Sequence, residues 1–253
     1  MQAAEVHFVP LHIPSELEMI RDAQHSYSNV PQFACFDTTF YRTMPVATTT
    51  YRHSPPTQCH RRPFRYREVG VQRYCFHGIS YESIVSALAL NVPAHLVAAH
   101  LGNGASLCGL QNGRSIDTSM GMTLTGGTPI STRFGDLDPG VVLFLARNYD
   151  LSTDDLESLL DFANSLSDTH TLTAATASGD RDAGFAIEIF ACSIGKTVAS
   201  YAAVLDGLDM LVFTGGIGEH SPEVRPGRVH RSGFLVSSLI LKRMLTSMWT
   251  HRD

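Results

Sequence analysis

Two short apolar runs, each passing straight into a glycine segment, constrain this chain more than any other feature. Residues 95–100 (HLVAAH) lead into Leu101-Gly102-Asn103-Gly104, and residues 210–214 (MLVFT) lead into Gly215-Gly216-Ile217-Gly218-Glu219. Runs this short and this apolar fit buried strands of an α/β sheet. A glycine segment after such a strand lets backbone N–H groups approach an anion such as a phosphate closely. Neither segment is a Walker A or GxGxxG sequence, and for either one alone a tight turn is the competing reading. Two of them in one chain point to a nucleotide site.

The rest of the chain supports the same class. Residues 30–36 are apolar and end in Asp37-Thr38-Thr39. This predicts a short strand that delivers a carboxylate at its C-terminal end, where ligands of open α/β sheets sit. Residues 43–67, with Pro55-Pro56, read as a connector or exposed loop. Residues 83–90 have helical character. Asn112-Gly113 joins two short runs within residues 105–116 and predicts a hairpin. Asp138-Pro139 opens a helix through Arg147, with Asp as N-cap and Pro at the first helical position. Ser152 caps a helix over about residues 153–164, and residues 181–205 carry the periodicity of one long helix. Ser221-Pro222-Glu223 has the signature of a helix start that Pro226-Gly227 breaks, and residues 236–249 have a helical pattern. Strands interleaved with helices give an α/β fold, with helices flanking a sheet.

Composition narrows the partners. The 253 residues suit one large or two modest domains, and 43% hydrophobic content suffices for a core. A net charge of −5 offers no basic face for nucleic acid. No apolar run is long enough to predict a membrane span, and residues 1–9 do not read as a signal peptide. The five cysteines are odd in number and form no CxxC, which points to a reducing, cytoplasmic setting. Cys59, His60, Cys75 and His77 match no common zinc spacing, and no metal ligand is assigned.

Three polar residues between and before the glycine segments carry the chemistry. Phosphoryl transfer needs fixed positive charge and hydrogen-bond donors around the moving group. Arg133, in Ser131-Thr132-Arg133-Phe134-Gly135-Asp136, and His77, in Tyr74-Cys75-Phe76-His77-Gly78, can supply both. Each has a plainer reading. Arg133 could pair with Asp136 or Asp138, His77 could be a core or turn histidine, and Asp37 could be a turn or capping carboxylate.

Seven collinear segments together resemble the acetate kinase family, which includes propionate and butyrate kinases. They are Phe36-Asp37-Thr38-Thr39-Phe40 with Thr43-Met44-Pro45, Arg73-Tyr74-Cys75-Phe76-His77-Gly78-Ile79-Ser80, and His100-Leu101-Gly102-Asn103-Gly104-Ala105-Ser106. Then come Asn112-Gly113, Asp117-Thr118-Ser119-Met120-Gly121, Thr132-Arg133-Phe134-Gly135-Asp136-Leu137-Asp138-Pro139-Gly140 and Val212-Phe213-Thr214-Gly215-Gly216-Ile217-Gly218-Glu219. The resemblance runs from about Pro10 to Val224.

The resemblance implies an actin-like ATPase (ribonuclease H-like) fold of two lobes with a nucleotide between them. Residues 1–45 would be a remnant of the first lobe, 46–72 a connector, and 73–253 the nucleotide-binding second lobe with an atypical C-terminal tail. It implies transfer of the ATP γ-phosphoryl group, with Mg²⁺, to acetate or a related short carboxylate, giving an acyl phosphate and ADP. The family's habit implies a homodimer. Asp37 looks like the family's active-site aspartate, and His77 and Arg133 like the pair that stabilises the transferring phosphoryl. His100, Leu101, Gly102, Asn103 and Gly104, with Gly215, Gly216, Ile217, Gly218 and Glu219, look like ATP-binding loops. Phe76 is similar to the position lining the cleft beside the histidine, on the substrate side.

Departures from the family pattern are specific. The first phosphate loop, the substrate-side arginine before the Asp37 region and a late metal-linked acid have no counterpart, so the expectation is a member truncated at both ends. Ser131 stands where the family usually has Gly, and Tyr81 where it commonly has His. Ser167-Asp168-Thr169-His170 best matches the adenosine segment, with His170 in place of Arg, so Asp168 is a further candidate for nucleotide contact. Three readings follow: an acetate-kinase-type enzyme, an inactive member that binds nucleotide or a partner chain, and a structural module without ligand.

Overall fold

The computed structural model describes residues 13–51, 71–130, 134–162, 169–221 and 224. Its centre is a four-stranded sheet in the order β3-β2-β1-β4. β1 (His95–Leu101), β2 (Ala105–Gln111) and β3 (Arg114–Thr118) form an antiparallel meander, and β4 (Met210–Thr214) joins the far side of β1 in parallel. The β2–β3 hairpin forms where Asn112-Gly113 predicts it. Both turn residues take left-handed φ values, 51° and 77°, as a tight hairpin matched to strand twist requires.

Alternation along the strands divides the core in two. Val97, Ala99 and Leu101 of β1 and Leu107 of β2 face the long helix α7 (Arg181–Val204), whose Ile194, Val198 and Tyr201 cover them. Leu96, Ala98, Cys108 and Leu110 face α3 (Gly78–Leu88), meeting Tyr81, Ile84 and Leu88. By length and composition α7 could cross a membrane, which the run-length reading did not anticipate. Its buried stripe is instead the cover of one sheet face. The helix starts expected at Asp138 and Ser152 are present. Asp138 accepts the Gly140 N–H at the start of α4 (Pro139–Tyr149). Ser152 and Asp155 cap α5 (Thr153–Phe162) reciprocally. α6 (Thr169–Ala177) packs against α7.

Two local expectations fail. Residues 31–36 form no strand; they are irregular and exposed, Phe33 being 88% accessible. An apolar run with no sheet edge to pair with has only water for its backbone groups, so its composition does not make it a strand. The described residues begin instead with an unanticipated helix, α1 (Ile13–Ser26), and Asp37 opens a 3₁₀ turn over Asp37–Thr43, followed by the short α2 (Val46–Thr49). The second glycine segment is also not a loop. Gly215–His220 is a short helix, α8, entered directly from β4. Gly215 makes this junction with φ 79°, and a Cβ there would lie 2.6 Å from the Leu101 carbonyl oxygen. The predicted tail helix over residues 236–249, Pro55-Pro56 of the connector and Pro222-Glu223 lie outside the described residues.

The segment before the sheet is bound into the α3-side core. Tyr41 and Met44 are buried with Tyr81, Ile84 and Leu88, and the Tyr41 and Tyr81 rings meet edge to face. Gly78 is required here, because any Cβ at that position would overlap the Asp37 carbonyl.

Candidate active site

The site candidates gather where β1 and β4 end. His100 is the penultimate residue of β1, paired with Ser106 of β2 on one side and with Thr214 of β4 on the other. Ligands of α/β sheets sit beyond this C-terminal strand edge. Leu101-Gly102-Asn103-Gly104 is the β1–β2 turn, closed by the Gly102 N–H donating to the Gly104 carbonyl at 3.0 Å. The Leu101 backbone touches Gly215, so the two glycine segments meet. A Cβ at Gly216 would find nothing within 4 Å, which leaves open ground over the first turn of α8. The Leu101 side chain is fully buried in the α7-side core, so only its backbone can touch a ligand, and the partly buried Ile217 packs against the same core.

His77 immediately precedes α3 and turns its ring onto His100. The two imidazoles stack with centroids 4.2 Å apart and planes 25° apart. His77 Nδ1 lies 2.7 Å from Ser106 Oγ, and His100 Nδ1 lies 2.9 Å from Ser80 Oγ. Burial holds His100 below the usual imidazole range, while the carboxylates of Asp37 and Glu219 pull it the other way. Both acids are therefore within electrostatic reach of the ring. Asp37 Oδ1 accepts the Ile79 N–H at 2.8 Å. Asp37 thus does cap the first turn of α3, and the same contact holds its carboxylate within electrostatic reach of His100. Phe76 is half-buried against the α3-side core.

The segment carrying His77 is tied to the sheet. Tyr74 N–H donates to the Gly121 carbonyl at 3.1 Å, and Arg73 pairs with Asp117 at 3.4 Å while donating to the Thr118 carbonyl. Burial raises Asp117 above the ordinary carboxylate range, against the pull of Arg73 and the Thr118 N–H. Asp136 accepts the Gly127 N–H at 2.9 Å and Asp138 caps α4, so both carboxylates weighed as partners of Arg133 have structural tasks. Arg133 and Asp168 lie outside the described residues. Sequence reading brought Asp37, His77, His100 and Glu219 forward as separate motifs, and here they form one cluster. It missed Ser106, Ser80 and the role of Tyr81. The available signal was Ser106, a polar residue set in the otherwise apolar run 105–110 of β2.

With the geometry in hand, comparison with known proteins is direct. The family model described as "Acetokinase family" matches residues 2–239. An acetate kinase of Methylocella silvestris is 41% identical over 85% of this chain and 53% of its own length. One from Deinococcus deserti is 40% identical over 91% of this chain and 59% of its own. The crystal structure of a propionate kinase from Francisella tularensis superposes with TM-score 0.79 at 35% identity, covering 88% of this chain and 58% of that one. The chain spans between half and two thirds of the length of these relatives. Its architecture is the actin-like ATPase fold of the acetate and propionate kinases. Motif order, fold and family match agree: the chain belongs to the acetokinase family.

Proposed function

We propose that this chain serves transfer of the ATP γ-phosphoryl group to acetate or a related short carboxylate, giving an acyl phosphate and ADP. The observation that carries the reading is the convergence of the stacked His77–His100 pair, Asp37 and Glu219 on the strand edge where the two glycine segments touch. The acceptor carboxylate is already ionised near neutrality, so the step needs orientation and charge neutralisation rather than a base. An acceptor oxygen bonds to the γ-phosphorus as the bond from that phosphorus to the ADP oxygen breaks. His77 donates a hydrogen bond to the oxygens of the moving group, and Arg133 neutralises their charge. The glycine backbones at 102–104 and 215–218 receive the nucleotide phosphates, Asp168 contacts the nucleoside, and Phe76 bounds the acceptor.

The residues fit a nucleotide: glycine removes the Cβ at Gly102 and Gly216, and the open ground at Gly216 admits a phosphate. For the metal the fit is through water. Among the described residues no group of three or more His, Cys, Asp or Glu could hold an ion, but Asp37 and Glu219 are the carboxylates at hand for a hydrated Mg²⁺. When bound, Mg²⁺ would neutralise phosphate charge. In this reading residues 1–45 belong to the first lobe, 46–72 connect, and 73–253 form the second lobe of a cytoplasmic, homodimeric enzyme.

The test is acyl-phosphate trapping with hydroxylamine, using the full chain with ATP, Mg²⁺ and acetate. Hydroxamate formed in proportion to protein supports the reading. Calorimetric heat on ATP titration without hydroxamate would replace it with nucleotide binding alone, and absence of both would leave a structural module.

A further inference from the structure

Resting on the proposed role of His77, the geometry points to Tyr81 and Ser106 as positioning residues: a hydrogen-bond relay from Tyr81 through Ser106 to His77 Nδ1 that places the ring hydrogen on Nε2. Ser106 is fully buried, and its Oγ has Tyr81 Oη at 2.6 Å, His77 Nδ1 at 2.7 Å and Cys75 Sγ at 3.3 Å. Tyr81 is also fully buried, and burial pushes its phenol well above the ordinary range, so it keeps its proton. Among the described residues the hydrogen-bond partner of Tyr81 Oη is Ser106 Oγ. A buried O–H that failed to donate there would be unsatisfied, so Tyr81 donates.

The remaining directions follow in sequence. With the Tyr81 hydrogen accepted, the Ser106 hydroxyl must place its own. Imidazole nitrogen at 2.7 Å is a much better acceptor than thiol sulfur at 3.3 Å. The Cys75 thiol has Met120 Sδ at 3.4 Å as its own outlet. Ser106 therefore donates to Nδ1, Nδ1 is bare, and the hydrogen of the neutral ring sits on Nε2. That nitrogen is then the one able to donate to a phosphoryl oxygen. The ring plane is held independently by the stack on His100. A buried tyrosine has a single donor state, so this chain holds the relay in one direction.

The experiment is a long-range ¹H–¹⁵N measurement of the imidazole nitrogens in the ¹⁵N-labelled full chain at pH 7.5, with His77 assigned by His77→Gln. The expected wild-type result is the Nε2–H tautomer. In Tyr81→Phe, which removes one oxygen and keeps the ring, the Nδ1–H population should rise about fivefold, the scale of one hydrogen bond. Under the kinase reading kcat falls with it while KM for the carboxylate holds. The wild-type tautomer is read without turnover, so it is decided even if the chain proves inactive or the variant fails to fold. An Nδ1–H or charged His77 in the wild type overturns the relay, as does a folded Tyr81→Phe with an unchanged ring.

Discussion

The two faces of the sheet use the same strands for opposite purposes. On the α7 side, Val97, Ala99, Leu101 and Leu107 meet Ile194, Val198 and Tyr201 in an almost wholly hydrocarbon layer. On the α3 side the strands again contribute apolar residues, but toward the C-terminal edge of β1 the layer becomes polar: Ser106, Tyr81, Cys75, His77, His100 and Ser80 are linked in short contacts. Register explains how one pair of strands does both. Successive residues face opposite sides, so His100 and Ser106 look toward α3 while their neighbours Leu101 and Leu107 look toward α7. The dry face anchors the strands, and the polar face sets groups at fixed distances on that anchor. The difference teaches that substitutions on one face should read out as stability, and on the other as chemistry.

The largest test of that division is Leu107→Ala. Leu107 is fully buried, and its truncation should cost about 3 kcal/mol in urea unfolding while leaving turnover per folded molecule unchanged. A matching loss of specific activity would mean the two faces are not separable. The converse is His77→Gln, which should cut hydroxamate formation about 100-fold, on the scale of losing a donor to the developing charge. Its unfolding free energy should stay within about 1 kcal/mol of wild type. A large loss of stability would return His77 to the role of a core histidine.

Smaller effects sharpen the polar face itself. Burial lowers the His100 pKa from its ordinary 6.5. The unfolded chain then binds the proton more readily than the native one, so this contribution to stability is full above 6.5 and is lost as pH falls toward the folded value. Thermal unfolding should move to lower temperature between pH 7 and 5, and less so in His100→Asn. An identical pH slope in that variant would remove His100 as the cause. The smallest effect on stability is expected from Asp37→Asn. The amide oxygen still accepts the Ile79 N–H, so stability should change by no more than about 0.5 kcal/mol. The charge that raises His100 is gone, so the His100 NMR titration should shift further down. A cap loss without that shift would reduce Asp37 to a helix cap.

Much of the framework was legible in the order of residues. Asn112-Gly113, Asp138-Pro139 and the capping pair Ser152 and Asp155 are local signals, and their hydrogen bonds close within a few residues. The strands β1 and β4 were legible because each is a short apolar run, although only β1 is buried on both faces while β4 buries Leu211 alone. The failures share one cause. The run at 30–36 and the segment at 215–219 have local patterns compatible with several states, and long-range partners decide between them. Among the described residues the first finds no strand to pair with. The second is drawn into a helix because Gly215 must pass over the Leu101 backbone.

By itself, then, the sequence determined the α/β class, the family and the identities of the polar candidates, because these rest on periodicity and on motifs contiguous in the chain. Only the tertiary structure decided that Asp37, His77, His100 and Glu219 share one strand edge, and that Ser106 and Tyr81 stand behind His77. Those contacts join residues far apart in the chain, and they exist only once the β1–β2 register and the docking of α3 against the sheet set the distances between them.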